Sequence, residues 1–244
     1  MNPRLSIIIP AFDEEATIGT LLQSVIDQPL ESIEKQIIVV ESNSKDRTRA
    51  IVRDFESRGL IQAIYQDLAR GKGHAVKAGL AQATGEWILI QDADLEYKVS
   101  DYPRLLAPLQ KGEAAFVLGS RHLGYKGWQY RSRTAVGPLA AIFINSGVLA
   151  FSWLFNVLYG VCLTDPTTMF KVFRRNCLEG ITFKSDGFNL DWEIVGKLIR
   201  QGFIPIEIPV SYKSRGWNEG KKVRLVRDGW VSLKAIIEFR FSSL

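Results

Sequence analysis

The sequence predicts an α/β fold: a mainly parallel, Rossmann-like sheet with helices on both faces. Two patterns carry this expectation. Short apolar, β-branched runs recur through the first 120 residues, at Leu5–Ile9, Gln36–Val40, Ile61–Tyr65, Trp87–Ile90 and Ala115–Leu118. Between them lie helix-compatible stretches at Glu15–Asp27, Asp46–Ser57, Gly73–Ala83 and Asp101–Leu109. Continuous apolar strands joined by crossover helices belong to parallel sheets covered on both faces. Ligands in such sheets bind at the carboxyl ends of the strands, so the polar residues after each strand are the candidates for function.

The first run sits in MNPRLSIIIPAFDEE, where five apolar-rich residues meet an acidic loop. That is a strand, not a signal peptide. The following helix repeats Thr17-Ile18, Leu21-Leu22 and Val25-Ile26 at helical spacing. Ser44, just before Lys45–Arg53, is the expected N-cap of the second helix. After the third strand, Arg70-Gly71-Lys72-Gly73-His74-Ala75 opens a helix. Two glycines flanking a lysine would let backbone approach a ligand near the positive helix end.

The pattern changes after residue 120. A basic loop over Arg121–Arg133 precedes a stretch without charge from Thr134 to Thr164. A strand-like Met169–Phe173 follows, then a helix at Phe188–Gln201 with Leu190, Ile194, Val195, Leu198 and Ile199 on one face and Gly202 at its stop. Phe203–Val210 reads as a further strand. The tail from Lys221 is amphipathic, with Val223, Val226, Trp230, Leu233, Ile237 and Phe241 on one stripe.

A chain of 244 residues, 46% hydrophobic and 23% charged, buries a full core and is not disordered. A formal charge of +5 suits phosphates, nucleotides or an anionic membrane surface. Nucleic acid is not expected as a partner, because basic residues mostly alternate with acids and no aromatic-interleaved stripe precedes residue 212. Cys162 and Cys177 lack metal or redox spacing and read as reduced, buried thiols.

The fourth strand runs into Asp92-Ala93-Asp94-Leu95-Glu96. Alternate residues of an extended segment point the same way, so three carboxylates would crowd one spot. A hard divalent cation relieves that repulsion and leaves coordination sites for a diphosphate. Glu14 and Glu41 lie at the ends of the first two strands, where carboxylates accept hydrogen bonds from a nucleoside. Arg121 closes the fifth strand, placed to neutralise phosphate.

In the order IIIPAFDEE, VVESNSKDRT, GKGHAVKAGL, QDADLEY, LGSR, DPTTMFKVFRR, GFNLDWEIVGKLIRQG and IEIPVSYKSRG, the chain resembles the family 2 glycosyltransferases of GT-A fold. Within them it is similar to the dolichyl-phosphate mannosyltransferase and polyprenyl-phosphate glycosyltransferase branch. The resemblance covers residues 5 to 220. It implies that Pro10, Phe12, Glu14, Glu41, Lys72 and Asp92 hold the nucleotide. Asp92, Asp94 and Glu96 would bind Mg2+ or Mn2+, with Asp94 and Arg121 at the catalytic centre. Arg131, Arg133 and Arg215 would meet phosphates of donor and acceptor, and Asp165, Asp191 and Glu193 would line the acceptor side, with Asp191 or Asp165 as the catalytic base if the acceptor is a hydroxyl. Phe12-Asp13 stands where Tyr-Asn is usual, and Glu41-Ser42 where two aspartates are common.

The resemblance implies an inverting hexose transfer from a UDP- or GDP-linked sugar to a polyprenyl phosphate. The enzyme would be cytoplasmic and peripheral on the cytosolic face of a membrane. The expected division is a catalytic domain over 1–220, with a donor half at 1–121 and an acceptor half at 122–220, followed by an amphipathic helix over 221–244. An apolar helix at 139–160 would lie in the membrane plane, or else serve as core or as the interface with a second copy or a membrane subunit. A soluble sugar or protein acceptor is the alternative, and a non-catalytic nucleotide-sugar-binding subunit ranks below it.

Overall fold

A computed structural model describes residues 4–123, 138–215 and 225–244. The strands are β1 (Arg4–Ala11), β2 (Glu34–Glu41), β3 (Gln62–Tyr65), β4 (Trp87–Ile90), β5 (Phe116–Ser120), β6 (Lys171–Arg174) and β7 (Ile206–Pro209). The helices are α1 (Ile18–Asp27), α2 (Thr48–Ser57), α3 (Lys72–Gln82), α4 (Tyr102–Gln110), α5 (Pro138–Tyr159), α6 (Leu190–Arg200) and α7 (Leu225–Phe241). One seven-stranded sheet runs in the order β3-β2-β1-β4-β6-β5-β7.

The strands are fully buried where their apolar runs are longest, as at Ile7, Ile8 and Ile9 in β1 and Ile88, Leu89 and Ile90 in β4. Pairing is parallel except at β6, which lies antiparallel between β4 and β5. The sheet is thus mainly parallel, and it takes strands from both sides of residue 121. α1 buries Ile18, Leu21, Leu22 and Val25, the residues with helical spacing in the sequence. Its last carbonyls are gathered by Lys35, whose Nζ donates to Val25 O at 2.9 Å and Ile26 O at 2.5 Å.

Ser44 is not an N-cap. α2 begins at Thr48, and Asp46 Oδ1 accepts the Thr48 N–H at 2.9 Å. Ser44 Oγ instead accepts the Asp13 N–H at 3.0 Å, while Lys45 N–H donates to Asp13 Oδ1 at 2.8 Å. The loops after β1 and β2 are laced to each other in this way, with Asp13 and Asn43 both at positive φ. A cap needs its acceptor beside the first turn; here the loop between strand and helix carries Ser44 away from it.

α5, α6 and α7 form a helical layer. Phe155 stacks on Tyr159 with centroids 4.1 Å apart and meets Trp192 at 5.4 Å. A Cβ on Gly196 would lie 2.7 Å from Tyr159 Oη, so glycine permits this close crossing. α7 packs through Ala235, Ile236 and Phe239. The stripe expected from the sequence points the other way, leaving Trp230, Ile237 and Phe241 exposed. Cys177 is buried as expected, but Cys162 is exposed because it follows the end of α5.

Candidate active site

A cavity of about 440 Å³ opens at the carboxyl ends of β1 and β4 and is bounded by α3, α6 and the segment after β7. Pro10 and Phe12 form one wall. Five carboxylates, from Glu14, Asp92, Asp94, Glu96 and Asp191, share the rest with Lys72, Arg121 and Arg215. Each comes from a loop or helix end that follows a strand, which is where a parallel sheet gathers polar groups.

Cations and carboxylates pair across this cavity. Lys72 Nζ lies 2.7 Å from Asp92 Oδ1. Arg215 reaches Glu14 at 2.9 Å and Asp94 at 3.0 Å, and its backbone N–H donates to Glu96 at 2.8 Å. Tyr212 Oη donates to the second Glu96 oxygen at 2.6 Å. Arg121 donates through Nε and Nη2 to both oxygens of Asp165, at 2.7 Å and 2.6 Å.

Residues 6–176 match the model of a known family, described as glycosyl transferase family 2. The chain belongs to that family. A dolichol-phosphate mannosyltransferase of Pyrococcus furiosus is 27% identical over 89% of this chain and 59% of its own length. A low-salt glycan biosynthesis hexosyltransferase of Haloferax volcanii is 27% identical over 93% of this chain and 52% of its own length. The chain therefore spans little more than half the length of these relatives. Among solved structures, glucosyl-3-phosphoglycerate synthase of Mycobacterium tuberculosis with Mn2+, UDP-glucose and phosphoglyceric acid superposes with a TM-score of 0.69. It is 19% identical, with 98% of this chain and 80% of that one covered. The likeness shows that this family 2 chain has the GT-A fold.

The expected carboxylate triad does not form as an extended run. Leu95 is at φ +58°, which turns the backbone and sends Asp92 to Lys72 while Asp94 and Glu96 meet Arg215. Among the described residues, no three His, Cys, Asp or Glu side chains stand close enough to hold a metal ion. The donor set nonetheless suits a hard divalent cation. Burial, with repulsion from Asp92 and Glu96, pushes Asp94 up to about 7 against the pull of Arg215. Burial also raises Asp92, although Lys72 opposes it. Lys72 itself would fall on burial, but Asp92, Asp191 and Asp94 together lift it above the ordinary lysine range. Among the described residues that line the cavity, carboxylates outnumber cations, and a divalent cation would relieve that excess.

Three expected ligand groups are turned away from the cavity. Glu41 is wholly buried, with its carboxylate bound to Arg49 and to the Ser44 N–H, so neighbouring Ser42 takes its place on the wall. Glu193 accepts the Lys184 and Ser185 N–H groups at 2.8 Å each and pairs with Lys197. Asp165 has both oxygens on Arg121 and does not reach the cavity, so it is not a free base. Arg131 and Arg133 lie outside the described residues.

The glycines around Lys72 also meet a partner within the chain. A Cβ on Gly73 would meet Ser185 O at 2.7 Å, and one on Gly71 would collide with Asp186 O. The close approach is to the 185–187 backbone, while Gly71 and Lys72 also line the cavity. Glu193 fixes that backbone from behind. Tyr97, Tyr212, Thr167 and Phe188 also line the cavity; each lies within a motif that carries the family resemblance, but none was singled out, since isolated aromatic and hydroxyl residues have no spacing to read.

Proposed function

We propose that this chain is an inverting, metal-dependent glycosyltransferase that moves a hexose from a UDP- or GDP-linked donor to a polyprenyl, dolichyl-type phosphate. The observation that carries it is the cavity at the strand ends, where five carboxylates and three cationic side chains face one another. Pro10 and Phe12 would pack on the nucleoside, with Ser42 as the nearer polar contact. Asp92, Asp94 and Glu96 would hold Mg2+ or Mn2+, which when bound offsets charge on the diphosphate. Arg121, oriented by Asp165, and Lys72 would stabilise the negative charge that grows on the departing diphosphate.

A lipid phosphate is already close to a dianion at neutral pH, its second pKa being about 6, and it attacks without a strong base. That agrees with a site in which Asp165 is locked onto Arg121. The name of the Pyrococcus relative supports the same acceptor class. So do the exposed apolar stripes on α5 and α7, which suit attachment to the cytosolic face of a membrane. Among the described residues, no helix is long and apolar enough to cross one.

A soluble acceptor is the second reading, favoured by the fold shared with a synthase solved with phosphoglyceric acid. In that case Asp191 is the carboxylate that would take a hydroxyl proton. Incubating the protein with Mn2+, UDP- or GDP-sugars and either a short polyprenyl phosphate or soluble phosphorylated acceptors separates the two. Glycosylated polyprenyl phosphate is the expected product. Transfer confined to a soluble acceptor would establish the second reading, and no transfer or donor hydrolysis would remove both.

A further inference from the structure

Beneath the acidic cavity lies a buried cation that is not part of its wall. Lys171 sits on β6, opposite Ile90 of β4 and Leu118 of β5. Its side chain is wholly buried and forms no part of the cavity wall. Its Nζ lies 2.7 Å from Asp191 Oδ1 and also donates to the Thr168 carbonyl. Asp191, at the first turn of α6, does line the cavity. Among the described residues its second carboxylate oxygen has no hydrogen-bond partner.

A buried ammonium is costly unless a fixed counter-charge stands beside it. Burial lowers Lys171 below the ordinary lysine range, with Asp191 pulling the other way. An apolar side chain of similar size would pack the sheet as well, so stability alone does not account for a lysine here. What the ion pair adds is direction. A carboxylate held by one oxygen from below presents the other at a set place.

The chemistry of that free oxygen limits what it can meet. It repels the donor diphosphate and a phosphate acceptor alike. The groups of a nucleotide sugar that bind a carboxylate are hydroxyls and base N–H groups, which donate hydrogen bonds to it; with the nucleoside assigned to Pro10 and Phe12, the hydroxyls of the transferred sugar are left for Asp191. Phe188 also lines the cavity and accepts the Asp191 N–H through its carbonyl at 3.3 Å, with Lys72 Nζ 5.6 Å from its ring centre. That gives the same place an apolar face on which a sugar ring can lie.

We propose that Lys171 is a positioning residue that fixes Asp191 as the acceptor of a hydrogen bond from a hydroxyl of the transferred sugar. The proposal rests on the glycosyl-transfer reading above.

The test compares wild type with K171M, K171R, D191N and the double variant K171M/D191N. It measures transfer kinetics, thermal unfolding, and affinity for the nucleoside diphosphate, which lacks the sugar. K171M should keep nucleoside diphosphate affinity within about threefold while transfer kcat/KM falls by about tenfold or more, as in D191N. The double variant should lose no more than D191N alone, because both changes remove one interaction. K171R should recover most of the transfer. If K171M does not fold, K171Q gives the answer: it should keep nucleoside diphosphate affinity and lose transfer as D191N does, and transfer like wild type would overturn the role of Lys171. Losses that multiply in the double variant, or K171M transferring like wild type, would overturn the role of Lys171. A wild-type protein that transfers from no nucleotide sugar would instead remove the reading on which it rests.

Discussion

Arg121 and Asp165 form a two-pronged ion pair in which Nε lies 2.7 Å from one carboxylate oxygen and Nη2 lies 2.6 Å from the other, with both side chains buried. The pair is itself supported. Glu207 of β7 accepts the Thr164 and Asp165 N–H groups at 2.7 Å and 2.8 Å, and so fixes the turn that carries Asp165. A guanidinium held by two forks keeps its place when charge builds on a neighbouring phosphate.

Removing the acid from this pair leaves a buried cation without its partner, which costs about 3–5 kcal/mol. Asp165→Asn should therefore lower stability by that order and reduce turnover at saturating donor by about tenfold or more, through Arg121. Burial alone would raise the Asp165 carboxyl, but Arg121 overrides it and holds it below the ordinary range. A depressed folded-state pKa gives stability that is present above the unfolded value of about 3.9 and lost as pH falls through the folded one. Asp165→Asn should accordingly flatten the acid limb of a thermal-melt series. An unchanged acid limb with normal turnover would detach Asp165 from Arg121.

Asp94 has the opposite sign. Its folded-state carboxyl stands at about 7, raised by burial and by its acidic neighbours. The folded form then holds its proton more tightly than the unfolded form. Stability from this group is complete below about pH 3.9 and is lost as pH rises through about 7. In chelator, Asp94→Asn should raise the melting temperature at pH 8 and leave it nearly unchanged at pH 4; with Mn2+ supplied, it should abolish transfer. An equal shift at both pH values would show that charge is not the cause.

Arg215 takes up room among the carboxylates that a divalent cation would need. Arg215→Ala should bind Mn2+ more tightly than wild type without nucleotide, as read by the loss of free Mn2+ signal in electron paramagnetic resonance. Transfer should still fall, because the arginine would no longer meet phosphate. Weaker Mn2+ binding in the variant would show that Arg215 supports the cation rather than competes with it.

Gly73 is the point where α3 touches the backbone of residues 185–187. Neither side of that contact is a flexible side-chain tip, so Gly73→Ala forces a backbone shift worth about 1–3 kcal/mol. The variant should unfold at lower temperature and show faster amide exchange over residues 184–188, the segment that carries Phe188. Slow exchange there with normal stability would mean that the helix moves and the loop does not.

The strands and the cavity edge were legible because burial on two faces leaves continuous apolar runs, and a parallel sheet sends its loops to one end. Lys72 and Asp94 could be placed at the cavity on that basis, and Arg215 by the family resemblance. Antiparallel insertion of β6 was not legible, since a short apolar run carries no sign of its direction. Nor was the fate of Glu41, Asp165 and Glu193. A carboxylate at a strand end (Glu41), in a turn (Asp165) or in a first helical turn (Glu193) reads the same whether it meets a ligand or an internal arginine, lysine or backbone N–H. The α7 helix shows the same limit. It has apolar residues on two sides, and only the packing against α5 and α6 decides that Ala235, Ile236 and Phe239 are the covered set.

The uncovered set makes the last prediction. On α5, Leu149, Trp153 and Val157 are spaced by one helical turn and exposed, with Trp153 at 67%. On α7, Trp230 is 70% and Phe241 74% exposed. Such side chains gain by entering the boundary between lipid headgroups and tails, at roughly 25 cal/mol per Å² of apolar area removed from water. Lys234 lies exposed on the same helix, and each basic residue near an anionic surface adds roughly 1 kcal/mol at low salt. The protein should co-sediment with anionic liposomes, with high salt weakening but not abolishing the binding. Trp153→Ser with Trp230→Ser should reduce sedimentation by about tenfold and leave the melting temperature within a few degrees, because neither indole packs in the core. Transfer to a polyprenyl phosphate in liposomes should fall in parallel, while hydrolysis of the donor should not. A protein that ignores liposomes but elutes as a dimer, and becomes a monomer in the double variant, would assign these stripes to a second copy of the chain instead.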